Sequence, residues 1–127
     1  MTTAARILVV EDNPLNLKLV HDVLEANGYD VIAATSGEEG LRLAAEQPPD
    51  PVLMDLQLPG IDGTETLHRL RNGTLDGRVP IVAVTAFAMA EDHRSAARSG
   101  FDGYLEKPIS VRSLAGQVEN FLRGGAS

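Results

Sequence analysis

Short apolar runs alternate with amphipathic helical patterns five times along the chain, and four of the runs end on a residue that chemistry can use. Ile7-Leu8-Val9-Val10 leads into Glu11-Asp12, and Val52-Leu53-Met54 into Asp55. Ile81-Val82-Ala83-Val84 leads into Thr85, and Tyr104-Leu105-Glu106 into Lys107-Pro108. Near-continuous apolar strands separated by helices imply a parallel sheet covered on both faces. In such a sheet the carboxyl ends of the strands lie along one edge, where sites form. The fold is therefore expected to bring three carboxylates, a hydroxyl and an ammonium into one pocket, although they are far apart in sequence.

The elements follow from local signals. Arg6 to Val10 reads as a buried strand. Asn13 caps a helix with Pro14 at its first position, and Asn27-Gly28 ends it. Leu17, Val20, Val23 and Leu24 recur at helical spacing and form its core stripe. Val31 to Ala34 is a short second strand. Ser36 opens a second helix with Leu41 and Ala44-Ala45 on one face, and Gly40 within it costs about 1 kcal/mol against Ala. Pro51 can start the third strand but cannot donate to its ladder. Leu58 to Gly63 is a turn-rich loop before a third helix around Leu67 and Leu70, and Asn72 to Arg78 reads as loop. A further helix is expected near Ala90 to Ser99. Ser110 caps a last one carrying Leu114, Val118, Phe121 and Leu122. One domain is expected over residues 1–127, with its core at about 6–123.

Composition closes off several classes. The chain has no Cys, which excludes disulfides and thiolate metal sites. A net charge of −7 disfavours nucleic acid as a direct partner. No apolar run reaches membrane-spanning length and no signal peptide precedes the first strand, so a cytoplasmic protein without membrane contact is expected. Only two lysines occur, Lys18 and Lys107, and the second stands at a strand end beside the acidic residues.

Three carboxylates at one sheet edge repel each other, and a hard divalent cation relieves that repulsion. Oxygen-only ligands select Mg²⁺, or Mn²⁺, over Zn²⁺. His21, His68 and His93 fall in helix patterns away from the strand ends and receive no metal role. A carboxylate can also act as a nucleophile and form an aspartyl phosphate. Asp55 ends the central strand and is followed by loop, which makes it the natural acceptor, with Glu11 and Asp12 as metal carboxylates. Lys107 and the Thr85 hydroxyl then hold the remaining phosphoryl oxygens. Each feature alone is ordinary: an acidic pair is often a turn, a strand-end Thr is often only β-branched filler, and Lys-Pro marks a helix start. Their joint occurrence at four strand ends is specific.

With these residues placed, the segments Ile7 to Asn13, Val52 to Gly60, Ile81 to Phe87 and Tyr104 to Pro108 resemble the receiver domain of response regulators, the CheY-like superfamily, in its single-domain type. The resemblance implies a doubly wound five-stranded sheet of order 2-1-3-4-5 with five helices. It implies a phosphoacceptor switch of a two-component or phosphorelay system. Asp55 is implied to receive phosphate from a histidine kinase or histidine phosphotransfer protein, and the switch to act on a downstream protein target. Asp12 and Asp55 are implied to bind Mg²⁺ directly with the Gln57 main-chain carbonyl, and Glu11 partly through water. Thr85 and Tyr104 are implied as a switch pair, and Lys107-Pro108 as a cis bond. Pro51 stands where the family usually carries an aliphatic residue.

Partner contacts are expected at Leu15, which lies off the core stripe next to the acidic pair, and at Phe87, Met89 and Pro108. A monomer or weak dimer is expected, with no enzymatic turnover beyond Mg²⁺-dependent self-phosphorylation from small donors and self-dephosphorylation. A flavodoxin-like cofactor carrier is disfavoured because the loop Glu11-Asp12-Asn13-Pro14 is negative and lacks Gly. A phosphatase of the haloacid-dehalogenase type is disfavoured because Gln57 stands two residues after Asp55, where those enzymes carry Asp. The alternative on the same fold is an interaction module that works without phosphorylation.

Overall fold

β1 (Arg6–Val10), β2 (Asp30–Ala34), β3 (Val52–Asp55), β4 (Ile81–Thr85) and β5 (Gly103–Glu106) form one parallel sheet in the order β2-β1-β3-β4-β5. The computed structural model describes residues 5–47, 49–56, 58, 60, 61, 63–74, 79–85, 100–106 and 110–122. Four α-helices fall within them: α1 (Pro14–Ala26), α2 (Gly37–Glu46), α3 (Gly63–Arg69) and α4 (Val111–Leu122). The helix expected over 90–99 lies outside the described residues.

Alternation along the strands splits the core into two layers. Leu8, Val10, Val52, Met54, Ile81 and Ala83 face one way and pack with Ala44 and Leu67. Ile7, Val9, Leu53, Val82 and Val84 face the other way and pack with Val20, Leu24, Leu114 and Val118. Helices therefore cover both faces, and the strands are apolar on both sides for that reason.

α1 forms where its caps and stripe agree. Asn13 Oδ1 accepts from the Leu15 and Asn16 amides at 2.9 and 3.1 Å, and Pro14 occupies the first helical position. Val20 and Leu24 are buried, while Leu17 and Val23 pack partly buried against them. Each fully buried side chain contributes roughly 1.5–3 kcal/mol. An exposed pair such as Lys18–Asp22 adds little beside that, so the stripe decides how the helix sits.

Several expectations shift. β2 starts one residue earlier than read, at Asp30, whose amide donates to Ala5 O at 3.0 Å. Ala45 is exposed rather than core, because the face is set by Ala44 with Leu41 partly buried. The stretch after α3 is not loop from the start: Leu70–Thr74 continues as a π-helical turn, anchored by the fully buried Leu70. Gly40 is a requirement of packing, since a Cβ there would stand 2.9 Å from Val10 Cγ2. The close approach of α2 to β1 outweighs the local helix cost. Pro51 is accommodated just before β3, where its carbonyl accepts from Leu8 N at 3.1 Å.

Candidate functional site

The site sits at the carboxyl edge of the sheet. Val10 is level with Met54 in the parallel ladder, so Glu11 and Asp55 emerge at the same height. Glu11 is 4% exposed and Asp55 3%, whereas Asp12 is exposed. One carboxylate oxygen of each lies within 4.8 Å of the others. The main chain holds the two buried acids in place. Glu11 N donates to Ala34 O at 3.0 Å, and Leu56 N, just after Asp55, donates to Val84 O at 3.1 Å. Asn13 N donates to Glu11 Oε1 at 3.1 Å, so the residue that caps α1 also orients one site carboxylate.

Thr85 ends β4, one residue beyond Val84, which is level with Asp55. It is 2% exposed. Tyr104 is level with Ala83 and packs partly buried against the layer that contains Ala83. By alternation Thr85 and Tyr104 share that face of the sheet. Lys107, Gln57, Phe87, Met89 and Pro108, with the Lys107-Pro108 bond, lie outside the described residues. The structure thus brings together Glu11, Asp12 and Asp55 and sets Thr85 on the neighbouring strand.

The donor set suits a hard divalent cation. Like charges at such separations repel by roughly 3 kcal/mol per pair at an effective dielectric near 20, and burial of two members limits screening by water. Carboxylate oxygens are the ligands that Mg²⁺ takes, with waters completing its octahedron. Neither described histidine joins the cluster: His68 is exposed on α3, and His21 lies on α1, 3.2 Å from Asp22 and 3.4 Å from Glu25.

Beside the acids, α1 presents Leu15, which is 79% exposed, and Leu19 one turn further on. The polar side of this helix carries Lys18 and Asp22, 2.7 Å apart. Their hydrogen bond holds the Asp22 carboxyl below the usual carboxylate range, with His21 adding to the effect, and holds the Lys18 ammonium above its ordinary value.

One residue at the site escaped sequence reasoning. Gly63 opens α3 directly under Asp55, and a Cβ there would stand 2.6 Å from Asp55 O and 3.0 Å from Leu56 Cα. The Asp62-Gly63 pair reads as a turn, and nothing in it reports the approach of a helix to the strand end.

Comparison with known proteins agrees with this geometry. Residues 7–119 match the response regulator receiver domain family. The polar-differentiation response regulator DivK of Brucella ovis is 42% identical over 116 residues, covering 91% of this chain and 94% of its own. Chemotaxis response regulator CheY4 of Vibrio cholerae superposes with a TM-score of 0.88 at 26% identity, over 93% of this chain and 98% of its own. The receiver domain of a sensor histidine kinase from Pseudomonas aeruginosa, solved with a magnesium ion coordinated in its active-site cleft, superposes with a TM-score of 0.85 at 33% identity. That match covers 95% of this chain and 99% of the other.

Proposed function

The chain belongs to the response regulator receiver domain family, and from that premise we propose that it is a phosphorylation switch with Asp55 as the acceptor. The observation that carries this reading is the buried Asp55 carboxylate within 4.8 Å of Glu11 and Asp12. Asp12 and Asp55 would hold Mg²⁺ directly with the Gln57 main-chain carbonyl, and Glu11 would contribute through water. Mn²⁺ would use the same donors. Bound there, the cation neutralises charge on the phosphoryl oxygens.

An Asp55 oxygen attacks the phosphorus of a phosphohistidine on a kinase or phosphotransfer protein. The new O–P bond forms as the P–N bond breaks, and the donor imidazole leaves with the electron pair. Lys107 and the Thr85 hydroxyl hold phosphoryl oxygens. The phosphoryl group adds negative charge and acceptor oxygens. Thr85 turns toward it, and Tyr104, on the same face of the sheet, fills the space vacated. The segment from 86 to 106, with Phe87 and Met89, then carries the change to a downstream protein. Leu15 on α1 meets the donor. Receiver domains are signalling proteins, and no helix among the described residues is long and apolar enough to cross a membrane.

The test is incubation with acetyl phosphate, with and without Mg²⁺, read by intact mass. The expected gain is one phosphoryl group, only with Mg²⁺. No gain under either condition would favour an interaction module that works without phosphorylation.

A further inference from the structure

At the sheet edge opposite the acids, Asp102 binds the start of β4 to the start of β5. Its amide donates to Ile81 O at 2.8 Å, and its Oδ2 accepts from Ile81 N at 2.8 Å. Two bonds between one pair of residues fix a register, here the one that runs from Val82 beside Gly103 to Thr85 beside Glu106. Arg71, in the π-helical turn after α3, donates from Nη2 to the same Oδ2 at 2.5 Å and from Nη1 to Val79 O at 2.7 Å. Its side chain is 21% exposed and that of Asp102 46%. One guanidinium therefore joins the turn after α3 to the residues just before β4 and to Asp102, 31 positions further along the chain, through charge-assisted bonds.

The staple matters because of what lies at the far end of the strands. β4 is held on both sides, by β3 and β5, whereas among the described residues β5 is an edge strand paired to β4 alone, over four positions. A slip of one residue turns every β5 side chain to the other face, and a slip of two moves it by roughly 6.6 Å. A slip of one thus turns Tyr104 away from the face of Thr85, a slip of two carries it along that face, and either displaces Glu106, the residue before Lys107 in the chain. We propose that Arg71 and Asp102 are positioning residues for the phosphoryl site: they lock the register of β5 from the opposite edge of the sheet. The proposal rests on the reading of Asp55 as phosphoacceptor. It separates two functions, because Glu11, Asp12 and Asp55 stand on or beside β1 and β3, whose pairing does not involve β5.

The test compares the wild-type chain with Arg71→Met, Arg71→Lys and Asp102→Asn. It reads Mg²⁺ affinity by calorimetry, phosphorylation by acetyl phosphate, and backbone amide spectra. Asp102→Asn keeps an oxygen for the Ile81 amide, which provides a milder variant should Arg71→Met fold poorly. The expected result for Arg71→Met is a rate lowered about tenfold, with Mg²⁺ affinity unchanged and the amides of Tyr104, Leu105 and Glu106 shifted. Arg71→Lys should recover part of the rate, since it restores the charge but not the fork. Rate and Mg²⁺ affinity falling together, or shifts confined to residues 70–81 with the rate unchanged, would overturn the proposal. Should the wild-type chain take no phosphoryl group, the phosphoacceptor reading fails, and the amide shifts alone decide the register claim: shifted β5 amides uphold it and unshifted ones overturn it.

Discussion

Gly63 lies directly against the main chain of Asp55, with room for no more than a hydrogen where a Cβ would stand 2.6 Å from the Asp55 carbonyl oxygen. The start of α3 is thus the floor under the acidic cluster. Gly63→Ala should push α3 and the end of β3 apart, because a backbone oxygen cannot turn aside as a flexible side chain would. The expected cost is about 1–3 kcal/mol of stability, read by urea denaturation. Phosphorylation from acetyl phosphate should slow in the fraction that remains folded, as Asp55 leaves its place beside Glu11 and Asp12.

Asp12 is the exposed member of the cluster, and its removal should separate metal binding from folding. In the wild-type chain, Mg²⁺ should raise the melting temperature in a concentration-dependent way, since a ligand of the native state stabilises it by mass action. Asp12→Ala should lose that response. Without metal it should be at least as stable as wild type, because one of three like charges is gone. An undiminished Mg²⁺ response in this variant would refute the role given to Asp12.

Leu15 is 79% exposed beside the acids while its neighbours Val20 and Leu24 fill the core, so its apolar surface serves no packing purpose. One exposed Leu is ordinary on any protein surface, and kinetics distinguishes the readings. Leu15→Asp should slow transfer from a cognate phosphohistidine protein and leave transfer from acetyl phosphate unchanged. Equal slowing with both donors would place the damage in the site itself.

Much of this was legible in the residues. The Asn13 cap, the Asn27-Gly28 stop, the α1 stripe and the strand ends at Glu11, Asp55 and Thr85 are local signals, and the structure places them as read. The strand order came from family resemblance, because periodicity does not say which strands are neighbours. What was not legible depends on contacts between distant segments. Gly40 reads as a weak point in a helix, whereas its would-be Cβ stands 2.9 Å from Val10 Cγ2 and the close packing requires glycine. Asn72-Gly73 carried a loop signal, yet the buried Leu70 and the Arg71 bonds to Val79 and Asp102 keep the chain helical through Thr74. Ala45 does not share the buried face of Ala44, because adjacent helical residues point about 100° apart.

The most direct test of Asp55 as the acceptor is the intact mass of wild type and Asp55→Asn after identical treatment with acetyl phosphate and Mg²⁺. Asn keeps the shape of the side chain but removes the attacking carboxylate, so the expected result is one added phosphoryl group on wild type and none on the variant. Full modification of Asp55→Asn, with the label mapping to another residue, would contradict the assignment.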